Sequence, residues 1–362
     1  VPATGTAVSA GLSKGPAISD LLPSGERSRL ALQAFRLSCP ALLRRTDTSG
    51  LTQGSDWQQP CSAASSWPDA TATEFFSRYF ESVQVGDGKA FATGYFEPEI
   101  AGSRERRAGY DVPIYGRPAD LVDVNLGLFS DSLKGKTIRG KVQGTTFVPF
   151  DDRSQIVGGA LAGRGLEIAW ARDPIEFFFL QVQGSGRLRL PDGSVMRIGY
   201  DGQNGRDYTG IGKLMKDRGL IQAGSMQDIM QWLRANPEQG SAIMNENRSF
   251  VFFKVLIGTG PLGALGVPVT GEATVAADPA YVPLGAPVLL SMDRAEPNGI
   301  WIAQDTGGAI KGSNRFDTFW GAGERARALA GGMAARGSAL LLLPIGTYAR
   351  LARDNGWPTP VP

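Results

Sequence analysis

The chain of 362 residues contains no histidine. That absence removes the Ser-His-Asp triad, the Cys-His pair and nearly every catalytic zinc arrangement. Cysteine is almost missing too: with only Cys39 and Cys61 present, a thiolate metal site has little support. Proton transfer near neutral pH therefore falls to Asp, Glu, Lys or Tyr. Long apolar runs are lacking as well. The longest, near Phe177–Leu180 and Ala339–Ile345, fall well short of a membrane span. Lys and Arg total 37 against 35 Asp and Glu, and no basic run stands out. No nucleic-acid partner is expected from so balanced a chain.

The length suggests two domains, with ample chain for a sizeable core. Val1–Ala17 is rich in Gly, Ala, Ser and Pro and reads as a flexible tether. Apolar spacing predicts a helix from about Gly25 to Arg45 and another near Asp69–Val83, where Phe76, Tyr79 and Phe80 share a core-facing side. Strand patterns follow: Phe91–Glu97, then Glu176–Leu190 and Ser194–Tyr200 joined through the turn Pro191–Gly193. Helices are expected near Gly210–Arg218 and Met226–Asn236, the second capped by Ser225. Strands resume at Ser249–Ile257, Val288–Met292, Gly299–Gln304 and Ala339–Ile345, with a helix at Glu324–Met333. No internal repeat of solenoid length is visible. Pattern alone indicates an α+β chain of two domains, with strands on both sides of a mixed insertion.

The stretch richest in chemistry is Trp301–Gly321, WIAQDTGGAIKGSNRFDTFWG. Asp305 closes an apolar strand, bare glycines follow, and Asp317 returns just before Phe319 and Trp320. Carboxylates beside aromatic rings suit a cleft that holds sugar rings and protonates the bond between them. Burial and a second carboxylate keep an aspartic acid protonated near neutral pH. Taken alone, Asp305 fits better a strand end that caps a turn.

This segment resembles the signature of the lytic transglycosylase A (MltA) family, bacterial enzymes that cut the glycan strands of peptidoglycan. Further motifs match in order: Thr93–Pro98 (TGYFEP), Phe179–Gly186 (FLQVQGSG), Asn247–Phe253 (NRSFVFF) and Ala277–Gly285 (ADPAYVPLG). The C-terminal part is similar to the module named for three aspartates, which here fall on Asp278, Asp305 and Asp317. The resemblance runs from about Leu22 to about Leu351. It implies a mainly β fold with some α: a discontinuous double-psi β-barrel carrying an inserted, smaller β-rich domain, with the glycan in the groove between them. The expected division is a tether at 1–17, the barrel at 18–103 plus 246–362, and the insertion at 104–245.

On the same footing Asp305 is the catalytic acid and Asp317 its supporting carboxylate; Asp317 also suits a turn or cap. Asp278, before Pro279, suits a barrel turn as well as a substrate contact. Lys311 and Arg315 are candidates to offset negative charge, or are ordinary surface cations. Trp320 and Tyr95 are candidates to stack on sugars, although buried aromatics usually serve the core. Gln181 and Gln183 alternate with apolar neighbours and are read as groove-facing hydrogen-bonding groups, with Glu97, Tyr200 and Asn204 weaker candidates of that kind. Gly184-Ser-Gly186 opens no expected helix, which argues against a nucleotide site.

The reaction implied is cleavage of the MurNAc–GlcNAc β-1,4 bond without hydrolysis, giving 1,6-anhydromuramic ends. One aspartate serves as acid and then as base, with no metal and no organic cofactor. Two alternatives stay open: a hydrolytic glycosidase using an Asp pair, and a non-catalytic peptidoglycan-binding module. The partners implied are peptidoglycan strands and other cell-wall enzymes, the default state a monomer, and the location the periplasmic side of the envelope near the outer membrane. Cys39 and Cys61 suit either one disulfide in an oxidising compartment or two separate buried thiols. Val1–Gly15 lacks the charged start and long apolar core of a signal peptide. Family members are exported and often lipid-anchored, so a leader removed from this chain is expected; no lipidated N-terminal cysteine stands here to carry an anchor.

Overall fold

The computed structural model describes residues 5–21, 25–222, 225–258 and 260–357. In chain order its strands are β1 (Leu12–Lys14), β2 (Phe80–Val85), β3 (Lys89–Glu97), β4 (Glu99–Ser103), β5 (Val112–Tyr115), β6 (Val122–Asn125), β7 (Thr137–Gln143), β8 (Thr146–Pro149) and β9 (Glu167–Ala171). They continue with β10 (Ser185–Arg189), β11 (Val195–Gln203), β12 (Val251–Leu256), β13 (Thr274–Ala277), β14 (Pro287–Met292), β15 (Gly299–Asp305), β16 (Arg315–Ala322) and β17 (Ala334–Pro344). The chain divides into two compact units, Val1–Glu97 with Thr259–Pro362, and Pro98–Gly258. Among the described residues no helix is long and apolar enough to cross a membrane.

The first unit is built on a closed barrel of six strands. The order β17-β14-β15-β13-β16-β3 returns to β17, which pairs with both β14 and β3. Two neighbouring pairs run parallel, β13 with β15 and β16 with β3, and the remaining pairs are antiparallel. Closure leaves no unpaired edge inside the ring. Strand alternation divides the side chains between two cores. Trp301, Ala303, Val275, Phe316 and Leu341 belong to one. Ile300, Ile302, Leu289 and Leu342 pack on the other, against helices Gly25–Leu42, Gln58–Ala64 and Ala72–Tyr79.

The helix Gly25–Leu42 presents Leu32, Phe35, Cys39 and Leu42 as one buried stripe, the period-3.6 pattern visible in the sequence. Gln304 ties it to the barrel, its Nε2 donating to Ala34 O (2.8 Å) and Ser38 Oγ (3.0 Å). Cys39 of this helix and Cys61 of the next are joined as a disulfide, which settles the alternative the sequence left open.

Two expectations need correction in this unit, and one alternative falls away. Residues 5–17 are not a plain tether: Ala7–Ala10 is a capped helical turn and β1 pairs antiparallel with β2. Small residues permitted flexibility but did not require it, and Ala7 is fully buried; Val1–Thr4 lie outside the described residues. The helix read as Asp69–Val83 stops at Tyr79, and Phe80–Val85 extends as β2 to pair with β17. Asp317 sits within β16 rather than at a turn or cap.

The second unit carries a six-stranded sheet in the order β12-β11-β10-β4-β9-β5 and a separate three-stranded sheet, β6-β7-β8. It is wider at both ends than the 104–245 expected, because β4 and β12 are recruited by β10 and β11. The hairpin β10–β11 turns through Pro191–Gly193 as expected. The helices Ile211–Asp217 and Met226–Ala235 also form, the latter capped by the Ser225 side chain. Glu176–Leu190, read as one strand, is instead the helix Pro174–Gln183 followed by β10. Asp173 caps it by accepting from Ile175 N and Glu176 N, Pro174 opens it, and Gly184 closes it in the left-handed region at φ 82°. These end signals outweigh the strand propensity of its phenylalanine-rich run.

Candidate active site

Strand register assembles the site. Ala276 of β13 pairs with Asp317 of β16 on one side and with Asp305 of β15 on the other; Asp317 in turn pairs with Thr93 of β3. Thr93, Asp317, Ala276 and Asp305 thus form one row across four strands, and paired residues project from the same sheet face. The row depends on an irregularity. Val275 pairs with Ala303, but the next residue, Ala276, pairs with Asp305, so Gln304 is the extra residue of a bulge. In plain alternation Asp305 shares the side of Trp301 and Ala303, which is core. The bulge swings it onto the face of Asp317, a common use of such a defect beside functional groups.

Asp305 is half-buried and held by three donors. Oδ1 accepts from Ala264 N (3.0 Å) and from Thr306 N (2.9 Å), while Oδ2 accepts from the Tyr95 hydroxyl (2.9 Å). Oδ1 is thus taken by two backbone donors and Oδ2 by the single phenol. Tyr95 lies on the Thr93 side of β3, and its ring packs on Phe319 at 4.9 Å between centroids. Burial, then the charge of Asp305, push the Tyr95 phenol well above its usual range, so it stays a donor.

Asp317 accepts from Thr93 Oγ1 at 2.7 Å, and Thr93 Oγ1 accepts from Arg315 Nη2 at 2.9 Å. Burial raises the Asp317 carboxyl above its ordinary value; Asp305 adds to that, while Thr93 and Arg315 oppose it. Arg315 is itself half-buried over the Phe91 ring at 4.9 Å, and burial lowers its pKa.

The other candidates separate clearly. Glu97, buried at the end of β3, has the alternation of Thr93 and Tyr95. Asp278 uses both carboxyl oxygens, accepting from Ala280 N (3.1 Å) and Gly312 N (2.8 Å), and so braces the loop between Asp305 and Arg315. Lys311 is exposed on that loop. Trp320 is a correction: only 5% exposed, it stacks edge-on against Trp301 at 5.5 Å and bonds Thr318 Oγ1. It lies one residue out of phase with Phe319, so its ring enters the core.

Gln181, Gln183, Tyr200 and Asn204 belong to the second unit. Gln181 and Gln183 do not alternate on a strand; on the helix Pro174–Gln183 the first is buried and the second exposed. Gln181 is bound to Arg153 and Val251 O. Asn204 is wholly buried, bonding Asp151 O, Arg248 O and Phe250 N as a structural clamp. Tyr200 is 47% exposed and accepts from Arg139. Sequence reasoning missed Thr93 and Phe319. Both stand two positions from a chosen residue, Tyr95 or Asp317, which is the spacing of one strand face.

Comparison with known proteins bears on this arrangement. The MltA specific insert domain matches residues 91–254, and the 3D domain matches residues 273–343. Membrane-bound lytic murein transglycosylase A of Vibrio cholerae is 32% identical over 268 residues, 69% of this chain; the match spans 66% of that protein's length, just under two thirds. The crystal structure of MltA from Neisseria gonorrhoeae superposes with a TM-score of 0.76 at 34% identity, covering 92% of this chain and 91% of that one. A lytic transglycosylase of Burkholderia pseudomallei gives 0.67 at 38% identity, covering 92% and 96%.

Proposed function

The chain belongs to the lytic transglycosylase A (MltA) family, and from that premise we propose that it cleaves the MurNAc–GlcNAc β-1,4 bond of peptidoglycan without hydrolysis. The observation that carries the reading is the bulge at Gln304, which turns Asp305 out of the core and into the row with Asp317, under the Tyr95 hydroxyl. In this reading Asp305 Oδ2 gives its proton to the glycosidic oxygen as the C1–O bond breaks. The muramic 6-hydroxyl attacks C1 and returns its proton to the same carboxylate. No water is consumed, and the product ends in a 1,6-anhydro ring. One carboxylate suffices because acid and base duties fall in succession.

Asp317 and Arg315, bridged by Thr93, set the charge beside the reacting sugar; Glu97 and Phe319 extend the same face. Peptidoglycan strands are the partner in this reading, other wall enzymes are further partners, and the cell envelope is the setting, on its periplasmic side. The raised Asp317 carboxyl favours a second reading, hydrolysis by an Asp pair.

Digestion of purified peptidoglycan by wild type and Asp305→Asn, with fragments weighed by mass spectrometry, decides between them. Anhydro-muropeptides from wild type and none from a folded Asp305→Asn are expected. Reducing-end products would replace transglycosylation with hydrolysis, and undiminished turnover in Asp305→Asn would remove Asp305 from its role.

A further inference from the structure

The second unit contains a cavity of about 930 Å³ that the chemistry at Asp305 does not use. Arg153 lines it and is only 4% exposed. Its Nε donates to Asn247 O (2.9 Å), Nη1 to Gln181 Oε1 (2.6 Å) and Nη2 to Ser249 O (2.6 Å). The guanidinium is packed against the rings of Phe178 and Phe250, at 4.7 and 5.2 Å from their centroids. A guanidinium carries five N–H groups. Two of them therefore have no acceptor among the described residues.

Among the described residues no carboxylate is bonded to this buried charge. The one electrostatic neighbour that raises its pKa is Tyr208, and burial pulls it down to about 10, still a cation at neutral pH. Isolated buried charges are costly, and a neutral residue would bond the same carbonyls at lower cost. The cations near the cavity divide in the same sense. Arg234 is held by Asp173 and Glu176, and Asp111 is held by Arg106. Arg172, exposed on the cavity lining, has no side-chain partner among the described residues. On the lining Arg153, Arg172 and Arg234 balance Asp111, Asp173 and Glu176, and Arg106 beside Asp111 leaves one positive charge over; the walls beside them, including Ile156, Ile175, Leu233 and Met244, are apolar.

We propose that this cavity binds the carboxylate end of a short peptide with small aliphatic side chains. A carboxylate offers two oxygens to the two spare N–H groups. The volume is that of a small-ligand pocket, and the apolar walls suit methyl side chains. The anion requirement stands on the cavity alone. The choice of a peptide rests on the proposed function, since peptidoglycan strands carry short peptides that end in free carboxylates.

The test is calorimetric titration of the whole chain with N-acetyl-D-alanyl-D-alanine, its C-terminal amide, and N-acetylmuramic acid. The free acid is expected to bind with a dissociation constant of about 1 mM or tighter, and the amide roughly tenfold more weakly or worse. Arg153→Gln removes the anion contact. Because that residue also ties three segments together, Val157→Trp provides an independent check. Val157 lines the cavity at 60% exposure, so a larger ring there fills the space without disturbing the core, and binding should fall at least about tenfold.

Equal binding of acid and amide, indifference to Val157→Trp, or no binding to wild type would overturn the proposal. Tighter binding of N-acetylmuramic acid would overturn the peptide assignment. Glycan digestion run in parallel separates the two claims. A chain that binds the acid but releases no anhydro products supports this site and rejects the Asp305 reading, whereas cleavage without peptide binding does the reverse.

Discussion

Asp305 and Asp317 face the same residue from opposite sides: each pairs with Ala276, in a parallel ladder for the first and an antiparallel one for the second. Two strand spacings therefore separate their backbones, about 10 Å. Their charges still interact, since Asp305 contributes to the raised pKa of Asp317. One is held by backbone N–H groups and a phenol, the other by a threonine that an arginine also binds. Different donors give two like residues different surroundings.

Tyr95→Phe should leave the fold intact and slow turnover. It deletes the hydroxyl that holds Asp305 Oδ2 and keeps the ring contact with Phe319. A hydrogen bond to a charged group contributes about 1.5–3 kcal/mol, so kcat is expected to fall roughly 10- to 100-fold. KM and melting temperature should stay near wild type. Steady-state kinetics beside a thermal melt checks this, and a change confined to KM would deny Tyr95 a positioning role.

Asp317→Asn should be more stable than wild type at neutral pH. The folded carboxyl lies above its ordinary value of 3.8. Below that ordinary value both folded and unfolded forms hold the proton, and the native state keeps its full share of stability. As pH rises through the folded value, the native form must ionise a half-buried group and that share is lost. Urea unfolding at pH 7 should favour the variant, with the difference shrinking towards pH 3.8. A difference that grows on acidification would contradict the raised pKa.

Trp320→Ala should destabilise by about 3–5 kcal/mol, the cost of emptying a large aromatic site in a core. A sugar-stacking residue on the surface would instead lose substrate affinity at unchanged stability. Denaturant melts with glycan-binding measurements distinguish the two.

Breaking the link between Cys39 and Cys61, separated by 22 residues, should lower stability by about 2–4 kcal/mol. Both cysteines lie in helices packed outside the barrel ring, and neither helix supplies a donor to Asp305, which is held by Ala264 N, Thr306 N and the Tyr95 hydroxyl. Turnover of the folded double Cys→Ala variant should therefore match wild type at low temperature. Unfolding curves with and without reductant provide the measurement.

Much was already legible in the residues themselves. The absence of histidine directed attention to carboxylates. The apolar stripe of the helix Gly25–Leu42, the turn at Pro191–Gly193, the Ser225 cap and the strand ending at Asp305 are local patterns, readable because near neighbours in the chain determine them. Local reading failed where two local signals competed. The run of phenylalanines after Asp173 suited a strand until its capping residues at both ends prevailed as a helix.

Tertiary structure decided the rest. Alternation tells which residues share a face within one strand, but not which strand lies alongside or where the ladder slips by a residue. Trp320 and Phe319 are adjacent and equally aromatic, yet the phase of β16 sends one to the core and the other beside Tyr95. The bulge at Gln304 exists only because β15 is laid against β13, and it alone puts Asp305 in line with Asp317. Sequence supplied the acids; the pairing of strands, a property of contacts between distant segments, aimed them.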